Sequence, residues 1–136
     1  MSQIREEGGD PACWAHLLDD GEIDLAGVEA VVTDLGNTST DAGGVVWSLP
    51  HGGDLDANLV RLRPGSEISE HVNDEVDVLV FVQSGGGELT IDGETHPLRG
   101  DVLALVPRGA TRQVSAGVFG ITYLSIHRRR GPLRIG

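Results

Sequence analysis

Residues 71–110 read HVNDEVDVLVFVQSGGGELTIDGETHPLRGDVLALVPRGA, and this stretch decides the fold. Short runs of β-branched and other apolar residues alternate in it with Gly, Pro and Asp, a pattern typical of short strands joined by tight turns. The pair Asp92-Gly93 supplies the positive backbone angles of a two-residue turn, so the pattern predicts a hairpin around it. Residues 85–87, three consecutive glycines, are expected to link two strands.

The same pattern continues on both sides of this stretch and predicts an all-β domain. Several short strands separated by turn residues indicate a sandwich or a barrel. One short helix is expected before them, because Asp10 can cap a helix that has Pro11 at its first position and ends near Gly21. The predicted strands are 28–35, 45–49, 59–62, 76–82, 88–91, 102–106 and 121–126.

The length and composition indicate one domain with one site. At 136 residues the chain can bury a core of its own but is short for two domains. Twenty glycines and six prolines favour turns over long helices. We therefore expect an N-terminal extension with the short helix at 1–27 and a β-barrel domain at 28–136.

The charge distribution excludes several classes of function. The net charge is −11, and residues 1–60 carry twelve acidic side chains and one arginine, so general nucleic-acid binding is not expected. All ten basic residues are arginines, which excludes Schiff-base chemistry on a lysine. No stretch approaches the ~18 apolar residues of a membrane span, and the N-terminus is acidic and polar, so a cytoplasmic protein without membrane association is expected.

Residues 62–116 carry two ordered motifs that resemble the cupin family. The resemblance implies a cupin-type jelly-roll barrel, also called a double-stranded β-helix, with a ligand pocket inside it. It also implies a homodimer. The motif residues are Arg63-Pro64-Gly65, His71-Val72-Asn73, Gly85, Asp92-Gly93, Gly100-Asp101 and Pro107-Arg108-Gly109.

The residues that bind metal in this family are largely replaced here. Metal-binding members have two histidines one residue apart, a glutamate shortly after them, and a third histidine beyond the second motif. His71 matches the first histidine, Asn73 stands in place of the second and Arg112 in place of the last. The glutamate position falls on Val78 or, without an extra residue, on Asp77. Arginine stays protonated and repels a divalent cation, so no metal cofactor is expected.

The alternative is a divalent transition metal held by His71, Asp77 and His127. Two imidazoles and one carboxylate would supply three donors, the smallest usual set for such an ion. This set requires strand directions that turn all three side chains toward one point. An inward direction of Asp77 in turn requires a β-bulge.

The predicted ligand-binding residues are His71, Asn73, Asp77 and Arg112, with a small polar or anionic molecule as the partner. Arg112 either binds that anion or forms an internal pair with Asp77 or Glu75. On the last strand, Tyr123 and His127 share a face by the period of two. That face either lines the pocket or points to solvent.

These residues are compatible with four functions. Two of the four are enzymes and two are not, so the sequence leaves open whether the protein is an enzyme. The first is a metal-independent cupin that binds a small polar or anionic ligand. The second is a metal-independent epimerase or isomerase with His71 or His127 as base and Tyr123 as acid. The third is a metal-dependent dioxygenase or lyase that uses His71. The fourth is an assembly domain whose barrel is filled by Val78, Val80 and Val82.

Overall fold

The structure, a computed structural model, describes residues 29–37, 42–50 and 53–130. The predicted helix at 10–21 and the whole of the predicted extension at 1–27 lie outside these residues. No helix within the described ranges is long and apolar enough to cross a membrane. The elements are a 3-10 turn at Leu35–Asn37 and the strands β1 (Gly44–Ser48), β2 (Leu55–Leu62), β3 (Glu67–Val72), β4 (Val78–Ile91), β5 (Glu94–Arg99), β6 (Leu103–Val106) and β7 (Thr111–Arg128).

The strands form one antiparallel sheet that closes into a jelly-roll barrel, which confirms the predicted fold class. The order is β1-β2-β7-β4-β5, with β3 paired to β7 and β6 paired to β4. The first half of β7 pairs with β3 and with the end of β4, whereas its second half pairs with β2 and with the start of β4. The two longest strands, β4 and β7, therefore connect both halves of the barrel.

The period of two along β4 separates the interior of the barrel from its outer surface. Val78, Val80 and Val82 are buried, while Leu79 and Phe81 are exposed. The interior cluster contains apolar residues and one tyrosine, so burial of apolar surface is its main source of stability. Its members are Leu62, Val76, Val78, Val80, Val82, Leu89, Leu98, Val106, Ala110, Val114, Ile121 and Tyr123.

The strand prediction was wrong at two kinds of position. Residues 29–34 form no strand, and Val32 is 97% exposed, because this run finds no partner among the described strands. The sequence also missed β3 and β5, which are rich in polar residues. Each of these two strands pairs with a single neighbour, so neither needs an apolar pattern on both faces.

The three glycines lie inside β4 and do not link two strands as predicted. The runs 76–82 and 88–91 belong to one 14-residue strand whose register shifts between Gly85 and Gly87. A Cβ atom on Gly87 would overlap the carbonyl oxygen of Ser115 in β7, and one on Gly85 would overlap that of Gly120. The absent side chains let the two long strands approach closely where they bend.

The predicted hairpin at Asp92-Gly93 is confirmed. Asp92 has φ 49° and Gly93 has φ 85°, and Ile91 pairs with Glu94 across the turn. Both residues lie in the left-handed region, as a type I′ turn requires.

Replacing Gly87 by alanine tests the close approach of β4 and β7. The added methyl group has no room beside Ser115, so we expect Gly87→Ala to lower the free energy of unfolding by at least ~2 kcal/mol. Gly100→Ala is the matched control, because a Cβ there meets ordinary contact with Gln83 and the change should stay within about 1 kcal/mol. Urea unfolding followed by tryptophan fluorescence measures both. Equal stability of the two variants would contradict this account of the glycines.

Candidate ligand-binding site

Arg112 projects toward the interior of the barrel near one of its ends. It pairs with His71 on β3 and with Ile91 on β4. Arg112 and the buried Val114 are two residues apart on β7, so their side chains share a face of the strand. The Arg112 side chain is half-buried. A permanent cation therefore stands on the interior face of a sheet whose other interior side chains are mostly apolar.

A hydrogen bond fixes the orientation of the Arg112 guanidinium. Its Nε donates to Nε2 of His71 at 3.1 Å. The other ring nitrogen of His71, Nδ1, lies 2.9 Å from the carbonyl oxygen of Ser69, which can only accept, so Nδ1 carries the proton. The His71 ring is thus neutral in this arrangement, and its Nε2 lone pair is engaged by Arg112.

Within the described part of the chain, Arg112 has no carboxylate partner. Burial lowers the pKa of its guanidinium, the nearby Tyr123 raises it and Arg130 lowers it further. The internal pairs considered for it, with Asp77 or Glu75, do not form. Asp77 instead accepts from the backbone N–H of Arg108 at 2.8 Å, and Glu75 pairs with Arg130. The terminal nitrogens of Arg112 donate to no described residue.

Tyr123 supplies a neutral hydroxyl next to this cation. It is 5% exposed and lies between Val60 of β2 and Val82 of β4 in the sheet. Burial raises the pKa of its phenol to about 12, and the Arg112 charge opposes that rise. The hydroxyl therefore stays protonated at neutral pH and can donate a hydrogen bond.

Asn73 is buried and holds a side-chain nitrogen without a partner among the described residues. Its Oδ1 accepts from the N–H groups of Glu75 at 2.8 Å and Val76 at 3.3 Å, which closes the turn after β3. Its backbone oxygen accepts from Gly109, joining this turn to the one before β7. Its Nδ2 is buried with no acceptor in the structure. An unsatisfied buried donor costs about 1–3 kcal/mol, so an acceptor atom from a ligand would be favourable there.

Asp77 lies outside this cluster. Val78 takes the interior position and is 3% exposed, whereas Asp77 is exposed and holds the Pro107–Gly109 turn through Arg108. Of the two positions considered for the glutamate of the metal-binding pattern, the structure therefore turns Val78 inward and leaves Asp77 outside.

His127 lies on the interior face of β7 but far from Tyr123. Val82 pairs with Tyr123 and Val80 with Ser125, so the face that carries Tyr123 and His127 faces the interior. His127 is four residues beyond Tyr123, a separation of about 13 Å along a strand. Its Nδ1 lies 2.8 Å from the carbonyl oxygen of Arg128 and carries the proton for the same reason as in His71. The pair cannot flank one small substrate.

The structure does not assemble the alternative metal set of His71, Asp77 and His127. No group of three His, Cys, Asp or Glu side chains in ranges 29–37, 42–50 and 53–130 is placed to hold a metal ion. The residues found at the family positions, Asn73 and Arg112, offer an amide and a cation in place of two imidazoles. This donor set does not fit a divalent transition metal.

The sequence reasoning missed the role of Glu75 and the arginines that follow β7. Arg130 Nε lies 3.3 Å from Glu75 Oε1, and Arg128 Nη2 donates to the Glu75 backbone oxygen at 3.1 Å. These contacts tie the end of β7 to the turn that contains Asn73. The run of arginines in the sequence indicated pairing with acids, but a spacing of more than fifty residues identified no particular partner.

Comparison with known proteins places the described barrel among cupins. A family model described as "Cupin domain" matches residues 58–117. A polyketide synthase, CurC, from Streptomyces cyaneus is 43% identical over 49 residues. That match covers 36% of this chain, and the chain spans about a third, 32%, of the length of that relative.

Two solved structures share the fold. A cupin protein from Bacteroides fragilis is 24% identical with a TM-score of 0.54, over 62% of this chain and 73% of that one. A protein from Bacillus halodurans is 19% identical with a TM-score of 0.67, over 81% of this chain and 88% of that one. At these identities the likeness extends to the fold alone.

A pH titration of Tyr123 tests the burial of its phenol. The signal is specific because Tyr123 is the one tyrosine in the chain. Its pKa is 10.0 when unperturbed and about 12 in the fold, so phenolate absorbance should rise with a midpoint near pH 12 in folded protein and near 10 in denaturant. Between these values the unfolded chain ionises first. Stability from this group is therefore complete below pH 10 and falls by up to ~3 kcal/mol as pH rises through 12.

Urea unfolding between pH 9 and pH 11 checks the same effect without requiring the fold to survive pH 12. We expect Tyr123→Phe to lose less stability than the wild-type chain over this interval. An identical loss in both proteins, or a phenolate midpoint near pH 10 in the folded state, would contradict the burial of the hydroxyl.

Proposed function

Because this chain belongs to the cupin superfamily, we propose that it binds a small anionic or polar molecule at one end of its barrel through Arg112, with Asn73 and Tyr123 as neutral donors. The observation that carries the proposal is the half-buried Arg112 guanidinium, which has no carboxylate partner among the described residues. A partly desolvated charge is costly unless an opposite charge faces it. A ligand anion is the missing partner.

The site presents donors to a ligand. Arg112 has both terminal nitrogens available, Asn73 has its amide nitrogen, and Tyr123 has its hydroxyl. The one strong acceptor, His71 Nε2, is already engaged by Arg112. A planar oxyanion matches the fork of an arginine with two parallel hydrogen bonds, so a carboxylate suits this arrangement best.

The apolar interior restricts the ligand to the end of the barrel. Val78, Val80 and Val82 are at most 5% exposed and pack within the core. An assembly domain without a ligand would also have a barrel interior filled by these valines. The unpaired cation distinguishes the two functions, because a domain with no ligand has no use for a desolvated charge on its interior face.

An enzyme that uses His71 as a base is less well supported. The Nε2 lone pair that would accept a proton is held by the Arg112 Nε–H, and His127 lies too far from Tyr123 to act with it on one substrate. A metal-dependent dioxygenase or lyase would need donors that Asn73 and Arg112 do not provide.

The similarity to a polyketide synthase of Streptomyces cyaneus favours a second candidate, an accessory role in polyketide synthesis. Polyketides carry rows of carbonyl and enol oxygens, which are acceptors for the donors at this site. In this candidate Arg112 would hold an acidic oxygen of the polyketide. A cytoplasmic location, expected from the sequence, is compatible with both candidates and stays a prediction.

Binding of benzoate to wild-type protein and to Arg112→Gln tests the proposed function. Benzoate combines one carboxylate with an apolar body, and loss of the charge-assisted pair should weaken its affinity at least about tenfold. Arg99→Gln is the matched control, because Arg99 is exposed on β5, away from the site, and should bind benzoate as wild type does. Isothermal titration calorimetry measures all three proteins. No binding by the wild type, or equal binding by Arg112→Gln, would contradict the proposal.

A homodimer, implied by the family resemblance, is also part of the proposal, and the outer face of β4 and β6 supports it. Leu79 pairs with Leu105 and Phe81 with Leu103, which brings the four side chains together on the outer face. Leu79 is 38% exposed, Leu105 55%, Phe81 37% and Leu103 61%. Contiguous exposed apolar side chains often mark contacts between proteins. A stable interface buries about 800 Å² per partner, so this patch would form the centre of a larger contact.

Sedimentation velocity of the Leu103→Asp variant tests the proposed homodimer. A carboxylate in an apolar interface is costly to desolvate, so the wild type should sediment as a dimer and the variant as a monomer at the same concentration. Val118→Asp, on an 80% exposed side chain of the β7 bend, is the control and should remain dimeric. A monomeric wild type, or a dimeric Leu103→Asp, would contradict the proposal.

A further inference from the structure

We infer that His96 extends the proposed ligand site onto β5 and accepts a hydrogen bond from the ligand. The ligand class that follows is a hydroxy acid whose hydroxyl lies far from its carboxylate, with an apolar body between them. This inference rests on the proposed function, because it assumes that Arg112 binds the carboxylate. It assigns His96 as a ligand-binding residue that determines specificity.

The His96 side chain lies on the interior face of β5. Along this strand His96 is half-buried and Leu98 is buried, while their neighbours at 95, 97 and 99 are exposed. His96 pairs with Leu89 of β4, which is 0% exposed and belongs to the interior cluster. Because side chains alternate between the two faces of a strand, His96 points to the same side as Leu89 and Leu98.

The imidazole of His96 is not engaged within the described part of the chain. Neither ring nitrogen has a hydrogen-bond or ion-pair partner there. A neutral imidazole carries one N–H donor and one nitrogen with a lone pair. The corresponding lone pair of His71 is occupied by the Arg112 Nε–H. His96 therefore supplies an acceptor that the donors Arg112, Asn73 and Tyr123 lack.

The pairing of three strands places Arg112 and His96 on one surface with apolar side chains between them. Arg112 on β7 lies opposite Ile91, and His96 on β5 lies opposite Leu89. Two strand spacings and two residues along the strand put the Cα atoms of Arg112 and His96 roughly 12 Å apart. Leu89 belongs to the interior cluster and Ile91 packs against it. Across β7, β4 and β5, the surface is thus cationic, apolar and then hydrogen-bonding.

This order of groups describes the ligand. A carboxylate matches the fork of Arg112, and a hydroxyl matches the lone pair of His96. An apolar ring matches the side chains of Leu89 and Ile91 that lie between them. A benzene ring that carries the two polar groups at opposite positions keeps them too far apart to bond each other, so both stay available to the protein.

Two other groups compete as acceptors for the same hydroxyl. Glu94 lies in the same cross-strand row as Arg112 and on the same face of β5 as His96. Its carboxylate is exposed, so water competes for its lone pairs, whereas the half-buried His96 is partly shielded from that competition. The Nε2 atom of His127 also has no partner among the described residues, but His127 is about 13 Å along β7 from Tyr123.

Calorimetric titration with benzoate, 4-hydroxybenzoate and 2-hydroxybenzoate tests this inference. Wild-type protein should bind 4-hydroxybenzoate about threefold to tenfold more tightly than benzoate, which is the gain from one added hydrogen bond. 2-Hydroxybenzoate should show no such gain, because its hydroxyl already bonds its own carboxylate. The three ligands carry the same charge, so their affinity ratios do not depend on the net charge of a variant.

Two variants remove the ring nitrogens of His96. His96→Phe keeps a planar ring, and His96→Leu introduces a smaller apolar side chain. Both should bind benzoate about as the wild type does and lose the preference for 4-hydroxybenzoate. Thermal unfolding of each variant verifies that the fold persists. A preference that survives in both variants overturns the inference.

Thr95→Val, Glu94→Ala and His127→Phe are the matched controls. Thr95 is next to His96 but on the outer face of β5, where its Oγ1 lies 3.0 Å from Oγ1 of Thr90. Glu94→Ala and His127→Phe each remove one of the competing acceptors. All three controls should keep the wild-type preference for 4-hydroxybenzoate. If any of them loses it as His96→Phe does, the hydroxyl is bound elsewhere and the inference is overturned.

The remaining outcomes separate this inference from the function on which it rests. If benzoate binds through Arg112 but the wild type binds 4-hydroxybenzoate no more tightly, the role of His96 is overturned and the proposed function stands. If the wild type binds none of the three ligands, both are overturned. A wild-type preference for 4-hydroxybenzoate that both His96 variants abolish and all three controls retain supports the inference.

Discussion

The antiparallel pairing of β4 with β7 is the constraint on which the rest of the structure depends. These two strands run through both halves of the barrel, and they approach closely enough at Gly85 and Gly87 that a methyl group at either position would overlap the backbone of β7. The same pairing fixes which side chains point inward. Arg112 is held opposite Ile91, and Tyr123 opposite Val82, so both polar groups enter the interior through the register of one pair of strands.

A cation on the interior face changes the chemistry that the barrel can support. The resemblance to metal-binding cupins implies imidazoles at two positions where this chain has the amide of Asn73 and the guanidinium of Arg112. Arg112 uses its Nε to bond the retained histidine, His71, and thereby occupies the lone pair that a metal ion or a proton would need. The Asn73 amide nitrogen and the terminal nitrogens of Arg112 are hydrogen-bond donors, which are chemically complementary to an oxyanion.

The turns at one end of the barrel are joined to one another and to the end of β7. The turn after β3 is closed by Asn73, joined to the turn before β7 through Gly109, and fastened to the end of β7 through Arg128 and Arg130. Glu75 lies in that turn, so its charge is placed by backbone hydrogen bonds. These contacts fix the turn that contains Asn73 relative to the end of β7.

The sequence by itself determined the all-β class, the cupin motifs and the Asp92-Gly93 hairpin, because these depend on local turn chemistry and on residue identity. It also identified Arg112, Asn73 and Tyr123 as candidates. Only the tertiary structure decided that the three glycines lie within β4, that Val78 and not Asp77 points inward, and that Glu75 compensates Arg130. Those outcomes depend on strand register and on contacts between residues far apart in the chain, and a pattern with a period of two cannot specify which distant strand lies alongside.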